Sequence, residues 1–89
     1  MTLKIERISG IHGTRIRLSG ALRCGQLTEV RNEIERESEQ VTLDLDELEL
    51  VDIQAVRFLN SCEANDVKLV NCAHYIREWM LQEQANERD

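Results

Sequence analysis

Between residues 44 and 52 the chain carries five carboxylates: Asp44, Asp46, Glu47, Glu49 and Asp52. Paired carboxylates perform acid–base chemistry when their surroundings drive their pKa values apart. The spacing argues against that use here. Alternate residues of a strand share a face, so Asp44 and Asp46 read as a solvated strand edge. No nucleophile and base accompany them in a recognisable constellation, and no catalytic residue is assigned. Asp52 has a different setting. It stands directly before a run of helical spacing, where a side-chain oxygen caps free backbone N–H groups and contributes about 1 kcal/mol.

The thiols and imidazoles offer little more. Cys24, Cys62 and Cys72 are odd in number and form no CxxC pair, which is not a disulfide framework. Cys24, in RCGQ, precedes a helix, a setting that lowers a thiol pKa. No histidine follows at a telling spacing, so Cys24 reads as structural or incidental. Zinc takes four closely spaced ligands. His12, in a glycine turn, and His74, at the start of the last helix, complete no such set and read as surface residues. The scattered glycines make no phosphate-binding loop. No metal or cofactor is expected.

The 89 residues suffice for one small domain with one thin core, and 42% hydrophobic with 31% charged residues suits a folded chain. A net charge of −6 argues against nucleic acid and suits a basic protein partner. No apolar run approaches the roughly 20 residues of a membrane span, so direct membrane insertion is not expected. The start MTLKIERISG lacks a signal-peptide core, and a cytoplasmic location is the expectation.

Periodicity supplies the elements that must position any site. LKIERI, residues 3–8, alternates, and TRIRLSG, residues 14–20, does so again with Ile16 and Leu18 on one face and Arg15 and Arg17 on the other. The glycine-flanked turn between them predicts an antiparallel hairpin. From Gln26 the period becomes helical, with Leu27, Val30 and Ile34 inward, until the polar run ESEQ. VTLDLD, residues 41–46, is a third strand, followed by a turn over Glu47–Val51. IQAVRFLNSCEAN predicts a helix with Ala55, Leu59 and Cys62 as its inner stripe, stopped by Asn65 and Asp66. VKLV, residues 67–70, is a short strand. Asn71 is positioned to cap the last helix, AHYIREWMLQEQ. Its stripe of Ile76, Trp79 and Met80 ends at Glu83, and ANERD reads as a frayed tail. The expected fold is α/β. A small four-stranded mixed sheet begins with the hairpin, continues in parallel β-α-β-α-β-α units, and carries three helices.

The succession IRLSGAL, a helix, VTLDLDELELVD, IQAVRFL and VKLVNCAHYIREWM resembles the STAS domain, the sulfate-transporter and anti-sigma-factor-antagonist module of bacteria. The resemblance spans about residues 3–84 of a single domain covering 1–89. Its most specific piece is the strand-to-helix join that ends in Asp52. The resemblance implies a non-enzymatic protein-binding regulatory module acting in signal transduction and transcription regulation, docking on a kinase-like anti-sigma regulator. In that family a Ser or Thr directly after the aspartate accepts phosphate, and the added charge expels the module from its partner. Here the acceptor position holds Ile53, followed by Gln54 and Ala55, and no Ser or Thr occurs from Leu43 to Asn60. Ala21, Leu22 and Arg23 likewise stand where the family usually has an acidic residue after the second strand.

Two readings of Ile53 remain open: an apolar contact for a partner, or a side chain packed inward behind an ordinary cap. The first makes Asp52, Ile53, Gln54, Arg57 and Asn60 the partner-binding flank, with the 47–51 turn beside it. Alternatives of other kinds are an accessory subunit on the ATPase of a membrane lipid-transport system and a self-associating structural subunit of a larger signalling complex. Trp79 stands at a spacing that is normally core, or an interface anchor if exposed, and Arg77 and Glu78 beside it favour a boundary position. Since Ile53 has no hydroxyl, incubation with ATP and a kinase of the implied type is expected to leave the intact mass unchanged. A stoichiometric gain of one phosphate overturns the reading of a lost switch.

Overall fold

The computed structural model describes residues 2–11, 13–37 and 39–87. The elements run β1 (Leu3–Gly10), β2 (Gly13–Leu22), a 3-10 turn (Cys24–Gln26), α1 (Leu27–Glu35), β3 (Val41–Asp44), β4 (Leu48–Val51), α2 (Ile53–Ala64), β5 (Lys68–Val70) and α3 (His74–Glu87). The protein is a small α/β fold with a mixed five-stranded sheet and three helices. The order is β1-β2-β3-β5, with β4 also on β2. The hairpin β1–β2 is antiparallel, and the pairs β2–β3, β2–β4 and β3–β5 are parallel.

The fifth strand corrects the expected count. Residues 48–51 form β4 where a turn was expected over 47–51. Strand β2 is ten residues long. It pairs with β3 through Thr14–Arg17 and with β4 through Gly20–Leu22. The chain leaves the sheet at Leu45–Glu47 and rejoins the same edge, and the register shifts between Gly20 and Ala21. Gly20 has φ +92, and a Cβ there would run into the carbonyl oxygen of Thr2. Only glycine meets both conditions without strain.

All three helices cover one face of the sheet. Ile16, Leu18, Leu43 and Leu45 are fully buried on that face. They meet Val30 of α1, Ala55, Val56 and Leu59 of α2, and Ile76 and Met80 of α3 in one hydrophobic cluster. Burying each large aliphatic side chain contributes about 1.5–3 kcal/mol. Arg7 also points to this face. It holds α1 through Glu33 (3.3 Å) and Glu37 (2.6 Å) and donates to the Glu33 carbonyl (3.1 Å). On α1, Arg31 lies 5.5 Å above the Phe58 ring of α2.

Helices α2 and α3 run antiparallel and are joined by a polar ladder. Arg57 donates to Glu83 (3.0 Å), the Asn60 amide donates to the Met80 carbonyl (3.0 Å), and Arg77 donates to Glu63 (2.8 Å). Glu83 is buried. The inner stripe of α3 thus does not stop at Glu83 but continues through a charge paired with Arg57. The helix itself extends to Glu87, so residues 85–87 are not a frayed tail, and the last two residues lie outside the described ones. His12, expected at the surface of the first turn, and Ser38, within the polar run ESEQ, also lie outside them. No helix among the described residues is long and apolar enough to cross a membrane.

The opposite sheet face holds a second correction. Asp44, expected to be solvated, is 4% exposed. One carboxylate oxygen accepts from Nε and Nη2 of Arg15 (3.1 and 2.8 Å). The other accepts from Asn71 (3.1 Å) and the Asp46 backbone N–H (3.1 Å). Asn71, at φ +57, therefore serves Asp44 and not the last helix. Burial pushes the Asp44 pKa up, but the hydrogen bonds from Asn71, Asp46 and Arg15 outweigh it and hold the carboxyl below its ordinary value of 3.8. A depressed pKa contributes stability that is complete above the unfolded-state value and is lost as pH falls through the folded-state value. Asp44→Asn is expected to lose about 1–3 kcal/mol in urea unfolding at pH 7, and the gap to wild type narrows below the ordinary carboxylate pKa. An unchanged midpoint at pH 7 contradicts this.

Candidate functional site

Helix α2 begins where it does because of Asp52. Its backbone is extended (φ −105, ψ 177), and its Oδ1 accepts from the Ala55 N–H at 2.8 Å. The Asp52 carbonyl accepts the first helical bond, from Val56 at 3.0 Å. That is the cap expected from the sequence. The second oxygen does something the sequence did not reveal: Oδ2 accepts from the Cys24 N–H at 2.9 Å. One carboxylate thus joins the start of α2 to the segment leaving β2. No local pattern signals a partner 28 positions away.

Ile53, the first helical residue, is 39% exposed. Gln54 and Arg57 are also exposed. Asn60 is not: at 8% exposure it faces α3, donating to Met80 and accepting from Gln84 (2.8 Å). The expected flank therefore reduces to Ile53, Gln54 and Arg57, with Asp52 beneath it. Asn60 was misplaced because its position two turns after Ile53 says nothing about where α3 crosses.

Two exposed apolar residues stand with this surface: Leu50, within the 47–51 stretch expected beside the flank, and Tyr75, outside the expected set. Leu50, in β4, is 41% exposed, and Tyr75, in the first turn of α3, is 49% exposed. The Tyr75 hydroxyl donates to the Glu49 carbonyl at 2.6 Å, fixing the ring beside β4. Leu50 precedes Ile53 by three residues, so β4, the first turn of α2 and the first turn of α3 each carry one exposed apolar side chain. A faint signal existed, since Leu50 follows Leu48 and breaks the alternation by being followed at once by Val51. Trp79, a turn after Tyr75, packs against the core.

The remaining candidates are dispersed. Asp46 lies 3.8 Å from Arg17, and Glu47 and Glu49 are exposed, so the acidic run forms no shared site. Among the described residues, no three His, Cys, Asp or Glu side chains are placed to hold a metal ion. Cys24 is exposed. Burial pushes the Cys62 thiol up to about 11 and raises that of Cys72. His74 is exposed and 3.1 Å from Glu78, one turn along its helix. The groove between α2 and α3 is polar and open, lined by Arg57, Ser61, Glu63 and Gln84. What the start of α2 offers chemically is a rigid, partly apolar surface with no nucleophile and no hydroxyl at its first helical position.

The sequence matches no protein-family model, and no curated protein matches it.

Because both oxygens of Asp52 hold backbone N–H groups, Asp52→Ala is expected to cost about 1–2 kcal/mol by chemical unfolding. Asp52→Asn, which keeps one carbonyl acceptor, loses less. An Asp52→Asn variant as stable as wild type contradicts a role for the second oxygen.

Proposed function

We propose that this chain is a non-enzymatic protein-docking module of STAS type, acting in the cytoplasm of a bacterium and binding its partner through the start of α2 without phosphate control. The observation that carries the reading is Ile53. It follows the capping Asp52, projects partly into solvent, and has exposed apolar neighbours in Leu50 and Tyr75. A side chain of that size covered by a partner contributes about 1.5–3 kcal/mol before the cost of ordering the contact. Such anchors carry most of the energy of an interface when they sit at its centre within a polar surround. Gln54 and Arg57 provide that surround on the helix, Glu49 on β4 and Glu47 just before it.

The partner class follows from the resemblance of the chain to anti-sigma-factor antagonists: a kinase-like ATPase that regulates transcription. In that arrangement the module competes for the regulator by contact alone. Its control then lies in how much of it is present, because Ile53 cannot be charged.

Ile53→Asp separates surface from fold. A carboxylate in the first helical turn is favourable to the helix dipole, so the variant remains folded by circular dichroism. Captured from native lysate with Mg-ATP, the wild-type chain is expected to retain a kinase-like ATPase that Ile53→Asp loses by at least about tenfold, the equivalent of about 1.4 kcal/mol. Equal retention by both proteins overturns the site, and capture of no ATPase overturns the partner class.

A further inference from the structure

Strand β1 is an edge of the sheet, paired only with β2. The direction of its backbone groups follows from its neighbour. In β2, the N–H groups of Thr14 and Gly20 point away from β1, to the carbonyls of Gln40 (3.0 Å) and Glu47 (3.1 Å). The Ala21 N–H points the other way, to Thr2 (3.3 Å). Thr14 and Gly20 face Ser9 and Leu3 across the hairpin. In an antiparallel pair, such residues exchange no hydrogen bonds. Leu3, Ile5, Arg7 and Ser9 therefore direct their N–H and C=O groups to the open edge. Eight residues of edge is long for a strand left unpaired, and it forms a template for another strand.

Charged side chains usually protect such an edge by repelling a second copy. The spacing in β1 does the reverse. Lys4, exposed, and Glu6, half-buried, flank Ile5, lie 3.6 Å apart as an ion pair within the strand, and share the sheet face that no helix covers. We infer that β1 pairs antiparallel with β1 of a second copy about a two-fold axis through Ile5, making one continuous sheet across a homodimer. In that register Lys4 of each copy faces Glu6 of the other, and Leu3 faces Arg7. The pairs centred on Ile5 use the outward-pointing backbone groups. The charged pairs fall at positions that exchange no backbone bonds, where side chains approach more closely.

The neighbouring registers are excluded by charge. An axis through Lys4 sets Lys4 against its own copy, one through Glu6 does the same for Glu6, and one through Arg7 apposes two guanidiniums. Only the axis through Ile5 gives opposite charges twice and like charges nowhere in this stretch. Ile8, exposed on the same face, then lies against Thr2 of the second copy. This surface is on a different strand from the entry to α2, so the dimer and the proposed partner contact are tested independently.

The test uses charge reversal read by analytical ultracentrifugation of the full chain, with circular dichroism checking the fold. Wild type is expected to dimerise reversibly at micromolar concentrations. Lys4→Glu alone and Glu6→Lys alone each replace attraction by repulsion at both symmetry-related positions and weaken the dimer by about tenfold or more. The double reversal, Lys4→Glu with Glu6→Lys, restores the wild-type constant to within about threefold. A mixture of the two single variants forms a heterodimer, since every facing pair is then of opposite sign. A wild-type chain that stays monomeric at high concentration overturns the proposal and leaves the edge to a foreign strand or to solvent. So does a dimer indifferent to either single reversal, which is held together by some other surface.

Discussion

The carboxylate of Asp52 has both oxygens committed to backbone N–H groups from separate parts of the chain. Much of the architecture around it follows from that commitment. A helix start has N–H groups with no internal partner, and a loop leaving a strand has the same deficit. One anion answers both, and in doing so fixes how α2 sits relative to the exit of β2. The first side chain of the helix then has no freedom to turn inward: the positions that reach the core are those of Ala55, Val56 and Leu59, further along the helix. The exposure of Ile53 is thus a by-product of a cap. A polar residue there would have cost the fold nothing, so the fold itself does not call for the isoleucine.

What could be read from the sequence was whatever repeats with the period of its own element. Ile16 and Leu18, Leu43 and Leu45, and Ala55, Leu59 and Cys62 announced their faces because both neighbours obeyed the same rule. The failures share a cause as well. Asp44 is buried on the face that no helix covers, under arginines from an adjacent strand, so its environment is made by residues 29 positions away. Glu83 continues an apolar stripe because Arg57 neutralises it across the helix pair. Asn60 belongs to the same crossing. Residues 48–51 alternate only through Leu48-Glu49-Leu50, too short a run to mark β4 against the turn that the strand-to-helix join implies. Asn71 looked like a cap by position, but its side chain serves a carboxylate in another strand. In each case a polar group found its partner through tertiary structure, and local spacing holds no record of that.

Charge is distributed unevenly between the two sides of the sheet. The uncovered face is the more basic one: it carries Lys4, Arg15, Arg17 and Lys68, with Glu6 and Asp44 set among them. The buried carboxylate lets two arginines stand side by side on one strand without mutual repulsion dominating. On the helical side, the ladder between α2 and α3 sets the register of two helices with modest apolar stripes. Because that register is polar and specific, Tyr75 reaches the Glu49 carbonyl and no other. The surface around Ile53 is held from below by Asp52 and from the side by α3.

The three thiols are graded by depth: Cys24 lies open, Cys72 is half covered, and Cys62 is buried between α1 and α2 with its proton held to about pH 11. Cys62 belongs to the hydrophobic core, Cys72 packs against it, and Cys24 lies outside it. An alkylating reagent meets them in that order, and Cys62 reacts only during moments when the two helices separate. The chain therefore carries an intrinsic clock for the breathing of its helical layer, one that ticks faster when the layer loosens.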